Sequence, residues 1–92
     1  MSSVFELGSK LNTQAASALF DDVGSRRGQD VILDGGNVSF LGGQCFQILL
    51  AARRQWQADG HKIDISNPSI EMADAMARMG LPPEEFLKGL DA

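Results

Sequence analysis

The sequence has a single cysteine, Cys45, so no internal disulfide can brace the fold, and a chain of this size that relied on bridges would carry several. A reducing compartment fits. Basic residues are also few: eight Lys plus Arg stand against 12 Asp plus Glu, giving a formal charge of −4 and a pI near 4.7. That balance argues against a nucleic-acid backbone or an anionic lipid surface as the ligand. No apolar stretch approaches the roughly 18 residues that a helix needs to cross a bilayer, and the start Met1-Ser2-Ser3 has neither a basic leader nor an apolar core ending in small residues. The expectation is a cytoplasmic protein without direct membrane insertion. The lone histidine, His61, has no second histidine or cysteine at ligand spacing, so no metal site is expected. Neither the GxGxxG of dinucleotide folds nor the Gly-Lys-Ser/Thr of phosphate loops occurs, and there is no repeat, linker or low-complexity tract.

What is present reads as one small domain spanning residues 1–92. The 92 residues are 43% hydrophobic and 22% charged, a globular balance, and chains divide into separate cores only beyond about 250 residues. Val4-Phe5-Glu6-Leu7 is short and β-prone, and Gly8-Ser9 closes it. From Thr13 the apolar residues Leu11, Ala15, Ala18, Leu19 and Val23 recur at helical spacing, with Asn12 or Thr13 as cap and an end by Gly28, where Arg26 and Arg27 complement the helix dipole. Val31-Ile32-Leu33 has no polar alternation and predicts a central strand covered on both faces.

After Asp34-Gly35-Gly36, Val38 to Leu41 leads into Gly42-Gly43. Cys45, Ile48, Leu49, Ala52 and Trp56 then mark the longest helix, about 43–58, with Gly60 as the left-handed residue beyond its end. Ile63 and Ile65 alternate with Lys62 and Asp64, as in a half-exposed or edge strand. Asn67-Pro68 predicts a further helix, with Asn as cap and Pro at its first position; Met72, Ala73, Met76 and Met79 form its stripe and Gly80 its end. Pro82 to Leu87 reads as a short closing helix. Strands alternating with helices predict a small α/β domain, with a mixed or parallel sheet of about four strands and helices packed on it.

Catalytic equipment is not evident. His61 sits at a helix-to-strand corner, and the acid pairs Asp21-Asp22 and Glu84-Glu85 are adjacent residues that diverge by about 100° on a helix, so neither makes an acid/base dyad. Cys45 reads either as a packed thiol on the apolar stripe or as a thiol activated by the nearby helix N-terminus. The methionine stripe reads either as core or as an adaptable docking surface. The segment from Asp34 to Gln44, DGGNVSFLGGQ, joins the central strand to the longest helix, where open α/β sheets bind ligands; it reads equally as a functional turn or as glycines needing positive φ.

The order of elements, together with VILDGGNVSFLGG at residues 31–43 and ADGHKIDISNPS at residues 58–69, resembles the STAS domain, the fold of anti-sigma-factor antagonists. Within that family the chain looks most like the small stand-alone STAS proteins of alphaproteobacterial chemotaxis operons, which implies a chemotaxis histidine kinase as partner. A second similar group is the STAS subunit of a lipid-transport ABC complex, and a small-molecule or nucleotide-binding module is the reading from another class. Antagonists carry Asp-Ser-Ser-Gly-Leu at the start of the long helix, where the first serine is phosphorylated. Here those places hold Gly42, Gly43, Gln44, Cys45 and Phe46, and Gly43, which stands at the acceptor position, has no hydroxyl. The resemblance therefore implies a signalling adaptor without the phosphoserine switch, not an enzyme and without a cofactor. Its partner surface would comprise Asn37, Ser39, Phe40, Leu41, Gly42, Gly43, Gln44 and Cys45.

Overall fold

Five short strands alternate with three helices along residues 3–86, which are the residues that the computed structural model describes. In chain order they are β1 (Ser3–Glu6), β2 (Lys10–Leu11), α1 (Ala16–Gly24), β3 (Val31–Asp34), β4 (Phe40–Leu41), α2 (Gly43–Ala58), β5 (Ile63–Ser66) and α3 (Ile70–Arg78). Short 3-10 turns at Thr13–Ala15 and Pro83–Glu85 precede α1 and follow α3. Leu87 of the expected closing helix lies outside the described residues.

The strands divide into a three-stranded sheet, β1-β3-β5, and a separate ladder, β2-β4, rather than one sheet of about four. Every pairing is parallel. Across the larger sheet Phe5, Leu33 and Ile65 share one row, and Val4, Ile32 and Asp64 the next. Side chains alternate between faces along a strand, so Val31, Leu33, Ile63 and Ile65 are buried together on one face. The other face is only partly covered: Ile32 is half-buried and Val4 exposed, so the central strand is not enclosed on both sides as its apolar run predicts. β5 is an edge strand, as its alternation indicates.

Helix α1 differs in phase from the sequence pattern. Asn12 caps the 3-10 turn, its Oδ1 accepting the Ala15 N–H at 3.1 Å. A 3-10 turn advances about 120° per residue rather than 100°, which rotates the α-helix that continues from it. Ala16, Leu19 and Val23 therefore face the core and Ala18 faces solvent. The dipole assignment holds for Arg26, whose Nη1 donates to the Asp22 carbonyl at 2.6 Å, while the Arg27 guanidinium bonds the Asp59 carboxylate instead.

Helix α2 buries Cys45, Phe46, Leu49, Ala52 and Trp56, while Ile48 is only partly buried. The Trp56 indole N–H donates to the Gln29 carbonyl at 2.9 Å, so the largest core side chain leaves no orphaned donor. Gly60, at φ 77°, lets the chain turn sharply from α2 toward β5.

The start of α3 departs from expectation. Its cap is Ser69, whose Oγ accepts the Met72 N–H at 3.0 Å, and Pro68 lies outside the helix. Asn67 instead takes the left-handed backbone at φ 49°, which asparagine tolerates better than other non-glycine residues. Of the methionine stripe, Met72 and Met76 are fully buried, so these residues are core and not docking surface. No helix among the described residues is long and apolar enough to cross a membrane.

Candidate functional site

The turn between β3 and α2 is held from three sides. Asp34 Oδ1 accepts the Gly36 N–H at 2.9 Å, closing the turn on itself. The backbone N–H groups of Ser39 and Phe40 both donate to the Ser9 carbonyl, at 2.7 and 3.2 Å, and the Ser39 hydroxyl donates to the same oxygen at 3.0 Å. Asn37 Nδ2 donates to Glu6 Oε1 at 3.0 Å, and the Ser69 hydroxyl donates to the Val38 carbonyl. Gly42 N–H reaches the Leu11 carbonyl at 2.9 Å. Segments distant in sequence thus fix the loop.

Gly35, Gly36 and Gly42 serve close approach here. Gly35, Gly36, Gly42 and Gly43 are not among the positive-φ residues, so that reason for glycine does not apply to this turn. A Cβ on Gly35 would lie 2.5 Å from the Met72 sulfur and 3.3 Å from Pro68 Cα, because the base of α3 rests on the turn. At Gly43 a Cβ would meet nothing within 4 Å, leaving the first residue of α2 open to solvent.

The start of α2 is electrostatically bare. Gly42 is the cap residue, its backbone is extended, and it supplies no side-chain acceptor. Phe46 is the first helical N–H to bond back, to the Gly42 carbonyl at 3.0 Å, so the N–H groups of Gly43, Gln44 and Cys45 lack helical partners and mark the positive end of the helix dipole.

Of the eight residues grouped as a partner surface, Asn37, Ser39, Phe40, Gly43 and Gln44 are exposed and Gly42 is half-buried. Phe40 is 52% exposed, an aromatic ring held at the rim by its strand. Leu41 and Cys45 are buried and form the floor beneath the others, so they cannot touch a docked molecule without rearrangement. Strand alternation explains Leu41, which points opposite to Phe40; helical periodicity explains Cys45, which shares a face with Leu49. Burial pushes the Cys45 thiol pKa up, against the effect of the helix end, and its Sγ donates to the Asn12 carbonyl at 3.3 Å. The packed-thiol reading is the one that fits.

Ile70, 85% exposed at the first turn of α3, is not marked by its sequence pattern. It belongs to a helix that packs on β4, the strand carrying Phe40. Ser9 and Ser69 also escape a reading of the sequence, because their role in pinning the loop depends on contacts 30 and 31 residues away.

His61 is half-buried, with Nδ1 3.3 Å from Asp30 Oδ1, and Asp21, Asp22, Glu84 and Glu85 are exposed. Among the described residues no three His, Cys, Asp or Glu side chains converge as a metal site. A shallow groove of about 180 Å³ lies between α1 and α2, lined by Phe20, Val23, Ile48, Ala52 and Trp56 among others, and no residue of the glycine-rich turn contributes to it. No protein-family model matches the chain, and no curated protein matches it.

Proposed function

We propose that the chain is a non-enzymatic, cytoplasmic STAS-like adaptor that docks a signalling protein, with a chemotaxis histidine kinase as the partner. The docking surface is the rim formed by Asn37, Ser39, Phe40, Gly42, Gly43 and Gln44. One observation carries the reading: an uncapped helix start with open space at Gly43, beside the exposed Phe40 ring, on a loop fixed by the rest of the fold. A rigid, partly apolar surface with free N–H donors suits binding of a protein, since little entropy is lost on docking. The family reading is supported by the order of strand, capped helix, strand, glycine-rich turn, long helix, strand and helix.

The phosphoserine switch of the antagonists has no acceptor here. Gly43 has no hydroxyl, and the nearest loop hydroxyl, Ser39, is engaged with Ser9. Regulation by this adaptor would depend on its concentration or its partner's state. Co-purification of the tagged protein with the histidine kinase, followed by calorimetry on the pure components, tests the proposal. Recovery of an ABC transporter's nucleotide-binding domain in place of the kinase would overturn it in favour of a transporter subunit.

A further inference from the structure

The two edges of the three-stranded sheet are finished differently. On β5, the Lys62 and Ser66 carbonyls bond inward to Val31 and Gly35, which turns the N–H groups of Ile63 and Ile65 to the outside. One of these outward groups is taken up by the chain itself: Asp64 Oδ1 accepts the Ile65 N–H at 2.8 Å. A carboxylate at this place also repels the carbonyls of an incoming strand, a common way of blunting an edge.

The β1 edge has no such device. Ser3 N–H donates inward to Asp30 and Leu7 N–H to Asp34, so by alternation the N–H and C=O groups of Val4 and Glu6 face outward. Among the described residues no side-chain bond covers those groups; neither lysine nor proline lies within the strand, and Val4 is 64% exposed.

We infer that β1 pairs antiparallel with β1 of a second copy of this chain. The spacing of the outward groups selects the register. With Phe5 facing Phe5 across a two-fold axis, Val4 exchanges both backbone bonds with Glu6 of the second copy, and Glu6 with Val4, four bonds in all. Phe5 then occupies the closer, non-hydrogen-bonded pair, where aromatic side chains interact best. Each ring already carries the Arg26 guanidinium 4.3 Å from its centroid, a cation over an aromatic face.

Charge favours the same register. Glu6 meets a neutral valine, whereas a shift by one pair in one direction would set Glu6 against Glu6, and in the other would leave only Val4 bonding to Val4 within the strand. Both three-stranded sheets would join as one six-stranded mixed sheet. A contact through four residues per copy is small, so the dimer exchanges rapidly with monomer. This inference concerns a surface separate from the docking rim and does not depend on it.

Sedimentation equilibrium on the wild type and on Val4→Pro tests it. Proline removes an outward N–H that the monomer's own ladder does not use, and edge positions of this kind tolerate it. The expected result is a mass that rises toward the dimer with wild-type concentration, and an association at least tenfold weaker for the variant. A wild type that stays monomeric up to about 1 mM, or a variant that dimerises equally well, would overturn it. Amide exchange on the wild type reads the same edge without a substitution. The Val4 and Glu6 N–H groups should exchange more slowly as concentration rises, and concentration-independent exchange would contradict the pairing even if the proline variant failed to fold.

Discussion

Ser69 links two parts of the fold with one hydroxyl: its Oγ accepts the Met72 N–H that begins α3 and donates to the carbonyl of Val38 in the glycine-rich loop. Helix start and loop position are therefore coupled. Replacing Ser69 by Ala should remove the cap and leave the Val38 carbonyl without this donor, at a cost of about 1 to 2 kcal/mol in chemical denaturation. Under the docking proposal, partner affinity should fall as well. A variant as stable as wild type would show that neither bond contributes.

The core depends on α2 more than on any other helix. Leu49 is fully buried on the same face as Cys45, Ala52 and Trp56. Leu49→Ala should destabilise the protein by about 2 to 5 kcal/mol, through lost burial and the cavity left behind. Urea unfolding measures this, and a loss under about 0.5 kcal/mol would contradict the packing described.

Two surface carboxylates give the protein an acid-side dependence. The Arg27 hydrogen bond holds the Asp59 carboxyl below the usual range, with Gln55 contributing, and the Lys62 backbone N–H does so for Asp30, aided by His61. A carboxylate with a lowered folded-state pKa stabilises the fold above its unfolded value, near about 3.9, and that contribution is lost as pH falls through the folded value. The urea midpoint should drop as pH is lowered from about 5 toward 2, and Asp59→Asn should flatten part of that decline. An unchanged slope in the variant would show that the Arg27 pair does not contribute.

Much of the fold is legible in the sequence because its signals are local. The apolar run of Val31 to Leu33 marks the central strand, the spacing from Cys45 to Trp56 marks α2, and Gly60 marks the helix end. The features that escape such a reading depend on distant contacts. The Ser69 cap, two residues after the expected Asn67, is set by the Val38 carbonyl 31 residues away, and the glycine at position 35 by the Met72 sulfur. Glycines point to the candidate rim, and burial narrows it: alternation places Leu41 beneath Phe40, and the apolar stripe takes Cys45 into the core.

Phosphorylation offers a chemical check on the rim. Under the docking proposal, incubation with the proposed histidine kinase and ATP should leave no stable phosphate on Ser39, whose hydroxyl already bonds to Ser9, and none at the glycine pair. Intact mass spectrometry decides this. A stoichiometric phosphate mapped to Ser39 would restore a shifted form of the antagonist switch.

The most direct test of the docking proposal is calorimetry of Gly43→Glu against the kinase. A side chain at this position meets open space, and an acid in the first turn complements the positive helix end, so folding and melting should be unchanged or slightly improved. Affinity should nonetheless fall at least tenfold, about 1.4 kcal/mol, because the added bulk and charge occupy the contact. Asp21→Ala, on the exposed side of α1, serves as the neutral control. Equal affinity of Gly43→Glu and wild type for the kinase would contradict the account and place the docking surface elsewhere.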